Sequence, residues 1–272
     1  MKKTLFSIVM VNYNSGEFLE QAILSVLNQS CKHFELIIVD GGSSDKSINI
    51  INKYKDSFAW CVSEPDKGQS DAFNKGFEHA KGEYFVWLNA DDLMLPKTLE
   101  LVKQEIDLHP KKKWISLNSA YIDKNNKIWR AYKTPPYSCK IFRNGNIEMG
   151  GPSSFFHRSI YEQCGPFVLD YHYLMDIDLW IKFRNAGYKL HRLTNFGWAF
   201  RDHEASKTSS SLKGKPSVKF LKEKIVVRET NNYNPNSFIL LIQMLYRIIY
   251  SYPLALYYSR KYNNKDIKEL EQ

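Results

Sequence analysis

Cysteine is scarce in this 272-residue chain: Cys31, Cys61, Cys139 and Cys164 form no CxxC pair and have no metal-ligand spacing. That excludes a disulfide-stapled secreted fold and a zinc ribbon, and is consistent with reduced, structural thiols in a cytosolic protein. Glycine is missing where phosphate loops need it. The first apolar stretch ends in Asn12-Tyr13-Asn14-Ser15-Gly16, with one glycine and no basic residue. A dinucleotide oxidoreductase would place GxGxxG there, and a nucleotidyltransferase a Gly-rich loop bearing Arg or Lys. Basic residues outnumber acidic ones, 38 to 29, but Lys111 to Lys113 is the only tight basic run, so no nucleic-acid groove is expected. The apolar stretch ending at Asn12 is too short for a signal-peptide core, and a cytoplasmic protein is expected. The most apolar segment, Phe238 to Tyr258, is broken by Gln243, Arg247, Ser251 and Pro253, which makes it a poor membrane span.

What is present suits a globular protein with a full core: 43% hydrophobic and 25% charged residues. The net charge of +9 favours anionic partners such as nucleotides, acidic glycans or an anionic membrane face. The most informative stretch runs from Tyr84 to Asp92, Tyr-Phe-Val-Trp-Leu-Asn-Ala-Asp-Asp. An unbroken apolar run of this length suits a strand buried on both faces of a parallel sheet, with its carboxylates emerging at the carboxyl edge where ligands bind. Two adjacent carboxylates repel unless a cation or hydrogen-bonding sugar separates them. Asp91 and Asp92 therefore read as a metal and nucleotide site or, alternatively, as a cap on the helix expected over 97–108.

Before this stretch the pattern alternates strand and helix. Phe6 to Val11, Phe34 to Val39 and Phe58 to Val62 read as strands, and Glu17 to Asn28 as an amphipathic helix. After it, the helix over 97–108 and a strand over Trp114 to Asn118 complete a regular β-α series, which argues for a Rossmann-like sheet. Asp40, at a strand end before Gly41-Gly42, suits a ribose or base edge, or a simple Asx-turn. The polar stretch Ser63 to Asp71 precedes a helix, and Lys67 and Lys75 lie where a phosphate or sugar could be met. Capping by Ser70 or Asp71 explains the same residues. Tyr121 to Lys133 reads as a hairpin about Lys124-Asn125-Asn126, and Thr134 to Gly151 as a loop.

Tyr171 to Ala186 is a helix in which Asp178 stands four residues before Lys182, a surface ion pair, and Asp176 four before Trp180, on the packing face. A carboxylate on that face reads as a general base or an N-cap. The stretch Arg201 to Thr208 offers donors that could close over a diphosphate, although His203 alone reads equally as a surface histidine. In the tail, Gln243, Arg247 and Tyr250 form one stripe and Leu245, Ile248 and Ile249 lie elsewhere, with Arg260, Lys261, Lys265 and Lys268 flanking. This suits an interfacial helix, or a helix packed on the catalytic domain or a second subunit.

Val11-Asn12-Tyr13-Asn14, Ile37 to Asp45, Gly82 to Asp92 and Met175 to Trp180, in that order, resemble the family 2 glycosyltransferases of GT-A fold over roughly residues 5–210. The resemblance is strongest to bacterial members that build surface polysaccharides. It implies an α/β, mostly parallel sheet flanked by helices. Residues 1–215 would form the transferase domain, 1–118 binding nucleotide sugar and 119–215 the acceptor, and 216–272 a helical, membrane-associating region. By the same resemblance Val11, Tyr13, Asp40, Asp66, Lys67, Asn74, Asn89 and Asp91 would receive the nucleotide sugar, a UDP-sugar being favoured. Asp91, Asp92 and His203 would hold Mg2+ or Mn2+, and Asp176 would be the catalytic base of an inverting transfer to a lipid-linked or nascent bacterial glycan. The family often begins its acidic motif with Asp, whereas this chain has Asn89, so the metal would rest on Asp91 or Asp92. A non-catalytic nucleotide-sugar binder of the same fold is the chief alternative. Homo-oligomers and peripheral contact with the inner membrane through 238–258 are compatible with this reading.

Overall fold

The computed structural model describes residues 4–132, 151–204, 206, 217–232, 237–246, 248–249 and 252–270. Most of the Thr134 to Gly151 loop, the Ser-rich stretch before Lys215, and Arg247 and Tyr250 of the tail stripe lie outside these residues.

Four apolar segments become β1 (Phe6–Asn12), β2 (Phe34–Asp40), β3 (Trp60–Ser63) and β4 (Tyr84–Asn89). They pair in parallel in the order β3-β2-β1-β4, with Phe6 opposite both Phe34 and Tyr84. The chain steps outward from β1 to β3 and then returns to the far side of β1. That reversal makes the β1/β4 boundary a topological switch point.

Alternation along these strands assigns their side chains to two layers. Val9, Val11, Ile37, Val39, Phe85 and Trp87 enter one core, which α3 (Gln69–Glu78) and α6 (Met175–Asn185) cover. Ile8, Met10, Leu36, Ile38, Val86 and Leu88 enter the other, under α1 (Leu19–Leu27) and α4 (Thr98–Leu108). Burial on both faces is the reason β1, β2 and β4 read as continuous apolar runs.

The second half of the sheet departs from simple alternation. β6 (Trp114–Ile122) is parallel to β4 but is separated from it by β8 (Ser154–His157), which runs antiparallel to both. β9 (His191–Arg201) lies parallel to β6, and β7 (Ile128–Tyr132) closes the expected hairpin, with Asn126 at φ 64°. Trp180 of α6 stacks between Trp87 of β4 at 5.4 Å and Trp114 of β6 at 5.3 Å. Such aromatic pairs add about 0.5–1.5 kcal/mol each beyond their buried area. They fix α6, and with it Asp176, against the sheet.

α5 (Arg158–Cys164) follows β8, and α7 (Val218–Thr230) sends Val227 into the first core. α8 (Ser237–Tyr246) and α9 (Tyr252–Tyr262) follow. A third core joins Tyr262, Ile267 and Leu270 to Ile128, Ala131, Phe196 and Ala199. The tail therefore ends as part of the body, packed on β7 and β9.

Candidate active site

A cleft of about 650 Å³ opens at the carboxyl ends of β1, β2 and β4. Val11, Asn12 and Tyr13 come from the end of β1, Gly41 from the end of β2, and Asn89, Ala90 and Asp91 from the end of β4. Asp66, Gly68 and Gln69 close one side, and His172, Phe200 and Ser206 another. Gly68 precedes α3 at φ 109°, a conformation that favours glycine. Gly41 serves by its size: a Cβ there would lie 2.6 Å from an Asp66 carboxylate oxygen. Its absence lets Asp66 approach the end of β2.

The two carboxylates after β4 have separate positions. Asp92 is fully buried; its Oδ1 accepts the Arg201 N–H at 3.0 Å and its Oδ2 accepts from Asn89 Nδ2 at 2.9 Å. Burial, reinforced by the Asp91 charge, pushes its pKa well above the ordinary carboxylate value. Asp91 faces the cleft, and its Oδ2 lies 3.0 Å from Nε2 of His203. The His203 ring rests 4.9 Å from that of Phe18. β5 (Leu93–Met94) intervenes before α4, so the pair does not cap that helix.

Arg201 secures this turn from beneath. Expected as a loop donor to a diphosphate, it is the fully buried last residue of β9. Its Nε donates to the Asp91 carbonyl at 2.8 Å, Nη1 to Asn126 Oδ1 at 2.7 Å and Nη2 to Gln21 Oε1 at 3.2 Å. The guanidinium also lies 4.7 Å from the Phe18 ring. A planar, multiply donating cation can join these elements, which a lysine cannot. No feature of the local sequence distinguishes this role, because every partner is distant along the chain.

Asp91 and His203 supply one oxygen and one nitrogen of the kind a divalent ion accepts. Among the described residues no group of three or more His, Cys, Asp or Glu is placed to hold a metal. The donor set therefore fits an ion that completes its shell with ligand phosphate and water, as Mg2+ commonly does.

Asp176 occupies the first turn of α6, half-buried and outside the residues that line the cleft. Loss of hydration raises its pKa to about 6, against hydrogen bonds from the N–H groups of Ile177 and Asp176, and the Glu223 charge adds to the rise. Glu223 of α7 is buried and accepts the Tyr173 and Leu174 N–H groups at 2.7 and 2.6 Å, holding the turn that leads into α6. Ser70 ties the same turn to α3 through its bond to the Tyr171 carbonyl at 3.2 Å.

Other expected residues take different positions. Asp40 does not line the cleft. It is fully buried, with Asn12 and the Ser43 hydroxyl on Oδ1 and the Ser43 N–H and Ser63 hydroxyl on Oδ2. Burial would raise its pKa, but these bonds outweigh it and the net shift is downward. It organises the cleft floor from below. Asn74 faces away, bonding Tyr161 and both backbone groups of Phe167, because its position on α3 points to the second half of the chain. Lys67 is exposed and outside the lining, and Lys75 pairs with Glu64 and Asp71. Asp178 does pair with Lys182 at 2.7 Å, but it is buried, not superficial, and Asn231, which caps the end of α7, also donates to it. Gln69 belongs to the Ser63 to Asp71 stretch expected near the ligand, whereas His172 and Phe200 were missed as lining residues; only the tertiary fold brings them to the sheet edge.

A mostly parallel α/β sheet flanked by helices, with an acidic turn and an open cleft at its switch point, is an architecture of GT-A type. Residues 7–165, more than half of the chain, match glycosyl transferase family 2, and the chain belongs to that family. An uncharacterised glycosyltransferase of Haemophilus influenzae is 44% identical over 103 residues, covering 37% of this chain and 41% of that protein. The chain thus spans less than half the length of that relative. The Escherichia coli UDP-Glc:alpha-D-GlcNAc-diphosphoundecaprenol beta-1,3-glucosyltransferase WfaP is 27% identical, covering 77% of this chain and 82% of its own. Among solved structures, S. aureus TarS residues 1–349 with UDP-GlcNAc superposes with a TM-score of 0.67 at 17% identity, covering 91% of this chain and 73% of that 1–349 chain.

Proposed function

We propose that the chain transfers a sugar, with inversion, from a nucleoside-diphosphate sugar to a hydroxyl of a lipid-linked or nascent bacterial glycan, with Mg2+ or Mn2+ as cofactor. The observation that carries this is Asp91, backed by His203 and fixed by Arg201, at the mouth of a cleft at the sheet's switch point. A uridine donor is favoured, in keeping with the UDP-sugars named for WfaP and TarS.

Tyr13, Gly41 and Asp66 form the wall that would receive base and ribose, and Gln69, held to Asn89 at 2.7 Å, stands between that wall and Asp91. Asp91, with His203, would hold the divalent ion, which supplies positive charge to the departing diphosphate. Asp92, buried and bonded on both oxygens, acts by orienting the turn. Asp176 removes the proton of the acceptor hydroxyl as its oxygen bonds to the anomeric carbon and the bond to the nucleoside diphosphate breaks. One displacement inverts the anomeric centre and needs no second carboxylate nucleophile. A nucleotide-sugar-binding protein without transfer activity is the second reading, favoured by the position of Asp176 outside the cleft lining.

The test is donor hydrolysis and transfer across UDP-, GDP- and dTDP-sugars with Mn2+, Mg2+ or EDTA, for wild type, Asp91→Asn and Asp176→Asn. Turnover with one donor that EDTA and Asp91→Asn abolish, and that Asp176→Asn abolishes while still binding donor, is the expected result. Donor binding without turnover under every condition would favour the second reading.

A further inference from the structure

α8, residues 248–249 and the start of α9 expose several large apolar side chains. Phe238 is 66% exposed and Ile249 74%, and Leu241, Leu245, Ile248 and Leu256 are each exposed as well. Isolated exposed hydrophobics are common, but a contiguous set of this kind marks an interaction surface. These side chains stay accessible in the fold. α9 meets the sheet through its other face, with Ala255 and Tyr262 buried, Tyr258 and Tyr262 against Phe196, and Ser259 Oγ accepting the Ala131 N–H. The sequence left open whether this segment packs on the catalytic domain; the end of α8 is partly covered, with the Tyr246 hydroxyl buried, while the apolar side chains named above remain exposed.

Length and charge select the occupant. No described helix is long and apolar enough to cross a membrane, so the segment would lie on a bilayer, not span it. From Asn231 to Lys265 the chain carries Arg247, Arg260, Lys261 and Lys265 and no acidic residue. A second copy would set these like charges against each other, whereas anionic headgroups attract them. We infer that α8 and the exposed face of α9 form a docking surface for an anionic lipid bilayer.

The surface is mechanically continuous with the cleft. α9 and Arg201 hold the same β6–β7 hairpin, α9 through Ala131 and Arg201 through Asn126. Seating α9 on lipid therefore fixes the support of the Asp91 turn relative to the bilayer. The docking itself does not depend on the catalytic reading.

The full chain is floated with vesicles of phosphatidylcholine alone or with phosphatidylglycerol added. Wild type should float with the anionic vesicles only, and added salt should weaken the binding. Arg260→Gln with Lys265→Gln should lower partitioning by roughly 25-fold, from two surface charges at about five-fold each. Leu245→Asp with Ile249→Asp should abolish flotation while circular dichroism and metal-dependent donor hydrolysis stay as in wild type. Absence of flotation with anionic vesicles overturns the inference, as does equal flotation with neutral ones. Concentration-dependent dimers lost in Leu245→Asp/Ile249→Asp, with no flotation, would identify a second copy as the occupant and also overturn it.

Discussion

Replacing Asp176 with asparagine should make the protein more stable above pH 7 while abolishing transfer. Burial raises the folded-state pKa of Asp176 from 3.8 to about 6. At about 1.4 kcal/mol per unit, ionising it in place costs ~3 kcal/mol, an upper figure because the residue is only half-buried. A carboxyl group with a raised folded pKa binds more protons folded than unfolded between these values. Its favourable contribution is therefore present in full below about pH 4 and is lost as pH rises through about 6. Asparagine stays neutral, and its Oδ1 can still accept the Ile177 N–H that Asp176 accepts at 2.8 Å. Urea unfolding at pH 8 should show Asp176→Asn stabilised by ~1–3 kcal/mol, and the gain should shrink toward pH 5. In parallel, wild-type transfer should rise with pH through about 6, where the base becomes ionised, and then level off. Destabilisation of Asp176→Asn at pH 8 would refute the burial argument. A pH–rate profile without an inflection between about 5 and 7 would refute the assignment of the base.

Arg201→Met should cost ~1–3 kcal/mol in denaturant unfolding, because it removes the donor shared by the Asp91 carbonyl, Asn126 and Gln21, and Arg201→Lys should recover only part of the loss. Equal stability of Arg201→Met and wild type would remove the arginine from its bracing role. Gly41→Ala places a methyl group 2.6 Å from Asp66 and should weaken donor binding about ten-fold by calorimetry, with stability changed by no more than ~1 kcal/mol. Glu223→Gln retains an acceptor for Tyr173 and Leu174 but removes the charge that helps raise the Asp176 pKa. Its pH–rate inflection should move to lower pH, and Glu223→Ala should in addition lose ~1–3 kcal/mol from the unsatisfied N–H groups.

Local pattern determined much of this protein. Unbroken apolar runs such as Tyr84 to Leu88 and Ile37 to Val39 arise only where both faces of a strand are covered, so β1, β2 and β4 and the acidic turn at their carboxyl edge were legible from residue order. The hairpin at Lys124-Asn125-Asn126 was legible because asparagine tolerates the left-handed turn that Asn126 adopts. Periodicity also located α6, although its first turn begins at Met175, after the Tyr171 stretch tied down by Ser70 and Glu223. Residue order does not encode which way a carboxylate turns. Asp91 and Asp92 are chemically identical neighbours, and the Arg201 N–H, more than a hundred positions away, selects Asp92 for the interior and leaves Asp91 to His203 and the cleft. The same applies to Asp40, withdrawn by Asn12 and Ser63, to Asn74, turned toward Phe167, and to β8, inserted between β4 and β6. Sequence alone determined the alternation of strands and helices and the edge where polar groups gather, because those follow from contacts between near neighbours. Only the tertiary structure decided which of those groups face a ligand, because burial and hydrogen bonding between distant segments set the direction and charge of each one.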